Sequence, residues 1–243
     1  KREGKPSEKE ILSARLMDRP IRPMFVDNFR NEVQVIASVY SSDQENDADV
    51  LATTAASAAM MISGAPFEGP IAEVRVGRVN GEFIVNPTFE QIKASDLEVV
   101  LAGTADSILM VEGEAKEISE RDMLDALAFG HTHIATICKA IAEFAAECAK
   151  PRMEIVEEVL PEGIEDKIKS ITWDKLSVLA STVLEKQERA SQTQAIYDEA
   201  LAALAEEYPE QEKLIKRIVH DLEKIAMRET ILEKGVRLDG RGL

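Results

Sequence analysis

The spacing of apolar residues changes near Ser119, and this change divides the chain into two kinds of structure. Before Ser119, short runs rich in β-branched residues alternate with helical patterns. After it, apolar residues recur every three or four positions, which is typical of the buried face of an α-helix. The sequence therefore predicts an α+β fold in three parts: a mixed α/β domain over residues 1–150, an all-helical domain over residues 151–235, and the start of a further domain over residues 236–243.

The mixed domain is predicted to contain three helices. Ser7 and Glu10 have the spacing of a capping box, so a helix is expected over residues 7–18, ended by the prolines that follow. An alanine-rich stretch predicts a helix over residues 49–63, and a long apolar stripe predicts another over residues 123–148. Stretches rich in β-branched residues predict strands over residues 33–40, 71–79, 82–85, 97–102 and 107–112.

The formal net charge of −16 excludes proteins that bind nucleic acid over their whole surface, because an acidic surface repels phosphate. The charge is unevenly distributed along the chain. Residues 1–30 carry eight Lys and Arg against five Asp and Glu, whereas residues 31–150 carry seven against twenty and residues 151–243 carry fourteen against twenty. Any binding site for a polyanion is therefore expected within residues 1–30.

The basic residues of this segment have the chemistry of a phosphate site. Arg15 and Arg19 are four apart on the predicted helix and share a face, and Arg22 lies just past its end. Guanidinium groups bind phosphate oxygens through two parallel hydrogen bonds. Surface ion pairs with Glu8, Asp18 or other acids are the alternative, and the pattern alone leaves both open. The full basic constellation consists of Lys1, Arg2, Lys5, Arg15, Arg19 and Arg22.

Patterns that would complete a catalytic or metal site do not occur in the sequence. Residues 43–49 resemble a calcium loop but lack the glycine and the final glutamate that such a loop requires. His131 and His133 are two apart on a predicted helix and point away from each other. Cys138 and Cys148 form no Cys-x-x-Cys pair, which favours a reducing, cytoplasmic setting, and no apolar run has the length of a membrane span. We therefore assign no catalytic and no metal-binding residue.

A distinctive set of motifs occurs in the first 150 residues: KREGKPSEKE at residues 1–10, ARLMDRPIRP at residues 14–23, ISGAPF at residues 62–67 and LMVE at residues 109–112. With these motifs the chain resembles the family of bacterial polynucleotide phosphorylases. Residues 151–235 resemble that family only in being helical and in their place along the chain. The motif VRLDGR, at residues 236–241, is similar to the opening of a second RNase PH-like domain.

This resemblance implies that residues 1–150 are the later part of a first RNase PH-like domain and residues 151–235 a helical linker domain. It implies a homotrimeric ring around a channel for single-stranded RNA. The implied activity is that of a polyribonucleotide nucleotidyltransferase, a phosphate-dependent 3′-to-5′ exoribonuclease that releases nucleoside diphosphates, runs in reverse as a polymerase and acts in RNA degradation. Inorganic phosphate is then a substrate and Mg²⁺ the expected cofactor, held together with the catalytic residues beyond Leu243, so this segment alone is expected to be inactive.

The resemblance also implies roles for the basic constellation. Lys1 and Arg2 match the basic end of the family's RNA-contacting channel loop, although the two aromatic residues that precede it there are not present in this sequence. Arg15, Arg19 and Arg22 match arginines near the RNA path and the active-site cleft. All five are thus expected to bind RNA or phosphate.

Two other functions stay open. One is a non-catalytic ring subunit with the RNase PH fold. The other is a helical interaction module over residues 161–234 that docks a protein partner, such as a component of an RNA-degradation assembly. This region is expected to break near Glu185 and Pro209 and to end with a cap at Gly235. Its excess of acidic residues, with no basic stripe expected along a helix face, predicts that it packs on the first domain and does not contact RNA.

Overall fold

The computed structural model describes residues 4–155 and 160–242. The chain folds into two compact units, Lys1–Glu157 and Glu158–Leu243. The described part of the first unit combines a four-stranded antiparallel sheet with helices, and that of the second consists mainly of helices. The predicted α+β fold class, a mixed domain followed by a helical one, is confirmed.

Helices and strands alternate in the described part of the first unit, and capping residues explain where two of the helices begin. Ser7 and Glu10 close the predicted capping box, and Thr88 and Gln91 close a second one that the prediction missed. The elements are α1 (Glu8–Ile21), α2 (Asp49–Ser63), β1 (Ala72–Val79), β2 (Glu82–Val85), α3 (Phe89–Ala94), β3 (Leu97–Gly103), β4 (Ile108–Ala115) and α4 (Glu120–Cys148).

Helix α1 is longer than the sequence predicts. The expectation that prolines end it at Asp18 is wrong, because the helix includes Pro20 and ends at Ile21. Both of these residues are buried, and Ile21 packs in an apolar cluster with Met60 of α2. The free energy gained from burying these side chains offsets the loss of the backbone hydrogen bond that a proline cannot donate. Arg22 keeps helical dihedral angles, with φ −54° and ψ −47°, so the helical stripe continues through it.

The sheet forms the middle layer of the first unit. Its strand order is β2-β1-β3-β4, and each neighbouring pair is antiparallel. Side chains alternate between the two faces along each strand. One face packs against α4 in a cluster that includes Val74, Leu101 and Ile134. The other face lies under α1 and α2, where Val100 and Met110 belong to a smaller cluster.

Gly130 sets how closely α4 approaches the sheet. A Cβ atom at this position would lie 2.2 Å from Leu101 Cδ1 and 2.9 Å from Val76 Cγ2. Such distances are shorter than any normal contact between carbon atoms. The glycine therefore lets the helix backbone lie directly on the strands, and a side chain here would push the two layers apart.

Residues 33–40 do not form the predicted strand. They have no regular secondary structure, and the side chains of Ile36, Val39 and Tyr40 are 77%, 64% and 97% exposed. β-Branched residues favour an extended backbone, but a strand is stabilised by pairing and by the burial of one face. None of the four strands in the described residues pairs with this segment. Residues 33–40 therefore have strand-forming side chains but no neighbouring strand among the described residues to pair with.

The described part of the second unit contains α5 (Ile164–Ser181), α6 (Lys186–Leu204) and α7 (Glu212–Lys234). The breaks near Glu185 and Pro209 are confirmed, and Gly235 ends α7 in the left-handed conformation with φ 62°. Side chains of all three helices share one apolar core, to which Ile168 and Ile215 contribute. Within residues 4–155 and 160–242, no helix combines the length and the apolar character that a membrane crossing requires.

Candidate nucleic-acid interface

Arg15, Arg19 and Arg22 lie on one exposed stripe at the start of the first unit, here called the arginine face. Their spacing of four and three residues places them within about 60° of one another around the helix axis. A short 3₁₀ helix, Arg22–Met24, follows α1 directly, and Arg22 keeps helical dihedral angles, so this residue stays on the stripe. The predicted residues Lys1 and Arg2 lie outside the described residues.

Two of the three arginines have carboxylate partners. Arg19 Nη1 donates a hydrogen bond to Glu112 Oε2 on β4 and so joins α1 to the sheet. Arg22 donates from Nε to Asp18 Oδ2 at 3.2 Å and from Nη2 to Asp18 Oδ1 at 2.7 Å. Arg15 has no hydrogen bond or ion pair to any residue that the structure describes. The ion-pair alternative is therefore found at Arg19 and Arg22 but not at Arg15.

The pairing leaves both paired arginines accessible to a ligand. The side chain of Arg19 is 43% exposed and that of Arg22 is 76% exposed. Exposed ion pairs of this kind stabilise a fold by roughly 0–1 kcal/mol, so a stronger ligand can replace the carboxylate. Each guanidinium also has five N–H donors, most of which are unused here. The arginine face can thus hold a polyanion, although Glu112 and Asp18 reduce its net charge.

A second cationic surface lies on α7. Five exposed residues with basic side chains follow helical spacing, since Lys213 and Arg217 are four apart and Lys216, His220 and Lys224 lie at intervals of four. These five residues are here called the α7 face. Acidic residues lie among them, and Lys224 Nζ is 3.1 Å from Asp221 Oδ1. The expectation that no helix face in this region carries a basic stripe is wrong. A sum of charge over residues 151–243 does not show the α7 face, because acids elsewhere in the unit outnumber the basic residues. The helical spacing of the basic residues is the signal that could have found it.

The remaining candidates for chemistry have structural roles. Burial raises the pKa of Cys138 to about 11, so its thiol is not a nucleophile at neutral pH. His131 Nε2 lies 3.2 Å from the carbonyl oxygen of Thr104 and ties α4 to the end of β3, while His133 packs against Phe129. In the described part of the chain, no three His, Cys, Asp or Glu side chains are grouped so as to hold a metal ion. These residues therefore do not fit a Mg²⁺ site of their own.

Two family models cover most of the first unit. The model of the 3′ exoribonuclease family, domain 1, matches residues 1–66, and the model of domain 2 of the same family matches residues 69–133. The chain belongs to the 3′ exoribonuclease family. A third model, described as polyribonucleotide nucleotidyltransferase, RNA binding domain, matches residues 163–242, the helical unit. The resemblance found in the sequence motifs is confirmed, and the helical unit carries a description that the sequence reasoning did not anticipate.

Curated relatives of this family align with the whole chain. Polyribonucleotide nucleotidyltransferases of Chlorobaculum parvum and Chlorobium chlorochromatii are 49% and 48% identical to it, over 100% of this chain and 35% and 36% of their own lengths. The enzyme of Desulfitobacterium hafniense is 45% identical, over 100% of this chain and 34% of its own length. The chain thus spans about a third of the length of the curated relatives it matches.

Proposed function

We propose that this chain is the part of a phosphate-dependent 3′-to-5′ exoribonuclease that binds single-stranded RNA and guides it to the reaction site. In this proposal the complete protein uses inorganic phosphate to release nucleoside diphosphates, polymerises them in the reverse direction, and acts in RNA degradation in the cytoplasm. The observation that carries the proposal is the alignment of the whole chain with polyribonucleotide nucleotidyltransferases at 49% and 48% identity.

The arginine face supplies what such a reaction needs from this unit. Phosphorolysis brings a phosphate anion next to an RNA phosphodiester, and the two anions repel. Fixed guanidinium groups offset this repulsion without reading the base sequence. Because the chain as a whole carries a net charge of −16, RNA is held at the cationic surfaces and kept off the rest. We include Lys1 and Arg2 in this RNA-binding role.

Arg15 is the first contact in this proposal, since its guanidinium group has no carboxylate partner among the described residues. Arg19 and Arg22 then bind RNA phosphates by exchanging Glu112 and Asp18 for phosphate oxygens. The α7 face is a second candidate for RNA contact. The description of the family model that matches residues 163–242 favours it, and the intervening acids argue against it.

The remaining parts of the proposal concern the complete protein. We place Mg²⁺ and the catalytic groups in the two thirds of the relatives' length that this chain does not span. We further propose three copies around an RNA channel, and docking to proteins of an RNA-degradation assembly. A non-catalytic ring subunit and a helical protein-interaction module are the competing functions.

A phosphorolysis assay tests whether the catalytic groups lie outside this chain. The 243-residue chain and a full-length protein that contains it are each incubated with oligoadenylate, inorganic phosphate and Mg²⁺. We expect nucleoside diphosphate from the full-length protein, only when phosphate is present, and none from the chain alone. Product from the chain alone would show that the reaction site lies within these residues. Absence of product from both would favour the non-catalytic ring subunit.

Photocrosslinking identifies the RNA-binding surface. Photoreactive oligouridylate is crosslinked to the full-length protein, and the labelled peptides are mapped. We expect labels within residues 1–30 that disappear at high salt. Labels confined to residues 212–234 would assign RNA contact to the α7 face and contradict the role of the arginine face. Absence of RNA labels from both regions would favour the protein-interaction module.

A further inference from the structure

One buried carboxylate on the sheet lacks a hydrogen-bond partner in the part of the chain that the structure describes. Glu73 lies on β1, on the face that α1 and α2 cover, and is 1% exposed. Neither of its carboxylate oxygens has a hydrogen-bond partner among the described residues, and the hydroxyl of Thr53 on α2, also buried, has none either. An unpaired polar group in the interior costs free energy, and an unpaired charge costs more. The RNA contacts proposed above use neither group.

The charged groups that face Glu73 come from the elements packed around it, directly or through an ion pair. They are Asp49 on α2, Arg75 on β1, Glu98 on β3, Arg19 on α1 and Glu112 on β4. Arg75 pairs with both Asp49 and Glu98, and Arg19 pairs with Glu112. Counting Glu73, four carboxylates thus share two guanidinium groups. Since both guanidinium groups are already engaged by other acids, an ionised Glu73 has no cation of its own among residues 4–155 and 160–242.

Burial raises the pKa of Glu73 from its ordinary 4.5 to about 7. The negative charge of Asp49 acts in the same direction, whereas the Thr53 hydroxyl and the two arginines oppose the rise. Burial also raises the pKa of Asp49, and Glu73 is the carboxylate of this group whose pKa lies near neutral pH. A protonated carboxyl group is neutral and carries an O–H group. This group can donate a hydrogen bond to Thr53 Oγ1 on α2.

We propose that Glu73 is a proton-operated latch between β1 and α2. When protonated, its side chain is a neutral part of the layer under α2 and can hydrogen-bond to Thr53. When ionised, it becomes a buried anion beside Asp49 that no free cation balances among the described residues, and the start of α2 loosens from the sheet. Asp49 and Thr53 are one helical turn apart on α2, so the change acts on the first turns of this helix. The latch concerns the packing of the first unit and does not depend on the proposed enzymatic activity.

Unfolding equilibria of the 243-residue chain at several pH values test the latch. The comparison uses Glu73→Gln, which cannot ionise, and Glu82→Gln, the same change at an exposed position on β2, as the matched control. Because the pKa of Glu73 is raised in the folded state, its stabilising effect is fully present below the unfolded value and is lost as pH rises through 7. Relative to Glu73→Gln, the folded-to-unfolded ratio of the wild type should fall by a factor on the order of 50 between pH 5 and 8.5.

This difference cancels the titration of groups that do not interact with Glu73. The Glu82→Gln variant should follow the wild type at every pH. A constant difference between the wild type and Glu73→Gln from pH 5 to 8.5 would overturn the proposal. If Glu73→Gln does not fold, Glu73→Ala replaces it, and a carbon-13 NMR titration of the Glu73 carboxyl in the wild type decides. A titration midpoint near 4.5 would equally overturn the latch.

Hydrogen exchange tests whether the loosening is confined to α2. After correction for the intrinsic pH dependence of exchange, amides at the start of α2 should exchange faster at pH 8 than at pH 6 in the wild type and at equal rates in Glu73→Gln. Amides of α7, in the other unit, provide the internal reference. Equal protection of α2 at both pH values in the wild type would refute the latch.

Discussion

Replacing Arg19 and Arg22 together with alanine removes two of the three guanidinium groups of the arginine face. If each contacts about one RNA phosphate, the slope of log binding constant against log salt concentration becomes shallower by about 1.4, or about 0.7 for each lost contact. At 0.1 M salt this change weakens binding of single-stranded RNA about 25-fold, and the difference should vanish near 1 M salt. The effect should be the same for all base sequences, because the contacts are with phosphates.

The structure predicts that this double variant stays folded. Arg19 is 43% exposed and its partner Glu112 is 53% exposed, while Arg22 and Asp18 are 76% and 52% exposed. Each ion pair therefore contributes at most about 1 kcal/mol to the free energy of unfolding. A loss of RNA affinity in a protein with a nearly unchanged melting temperature would thus report on binding and not on folding.

Fluorescence anisotropy of labelled oligouridylate, measured between 0.05 and 0.5 M salt beside a melting curve, provides the data. The matched control is Lys93→Ala with Arg121→Ala, which also removes two exposed basic residues that pair with acids on their own helices. This control changes the net charge equally but lies off the arginine face. An unchanged salt slope in a folded Arg19→Ala, Arg22→Ala variant, or an equal change in the control, would refute the contact. A large loss of stability with normal RNA affinity would instead assign both arginines to structural ion pairing.

Two substitutions test the first unit itself. In Gly130→Ala the new methyl group overlaps Leu101 in a buried layer. This overpacking should lower the free energy of unfolding by roughly 1–3 kcal/mol, which outweighs the gain of about 1 kcal/mol from the higher helix propensity of alanine. Chemical denaturation should therefore show a less stable protein, and an unchanged midpoint would mean that α4 is free to move off the sheet. Arg78 pairs with Asp96 and Asp122 and holds the pKa of Asp96 below its ordinary 3.8. Arg78→Ala should lower stability near pH 7, and the deficit should shrink as pH falls below about 4, whereas an equal deficit at both pH values would contradict this pairing.

The sequence predicts best those elements whose signals are local. The capping box at Ser7 and Glu10 predicts the start of α1, and the apolar stripe of α4 predicts the end of that helix at Cys148 and its start within three residues. The start of α3 has the same kind of signal in Thr88 and Gln91, so this helix was within reach of the same reasoning. The family resemblance also follows from local motifs, since these are contiguous in sequence.

Features that depend on distant residues could not be predicted in this way. Residues 33–40 have the composition of a strand, but a strand forms only where another strand lies beside it. The partner of Arg19 is Glu112, 93 residues along the chain, and no local pattern relates the two. The unpaired state of Glu73 has the same origin, because it depends on the packing of α2 over β1. In the sequence this glutamate is indistinguishable from an exposed one.

The helical backbone beneath the arginine face sets the spacing of its three Cα atoms. From Arg15 to Arg22 the backbone rises about 1.5 Å per residue, so the first and last Cα atoms are separated by roughly 10 Å along the axis. Backbone hydrogen bonds, such as that from Arg22 N–H to the carbonyl oxygen of Asp18, hold this Cα spacing, so only the arginine side chains can adjust to a ligand. A polyanion that binds must bring its phosphates within reach of these side chains, and much of the loss of conformational freedom falls on the ligand. A flexible single strand can make that adjustment, whereas a stiff double helix cannot.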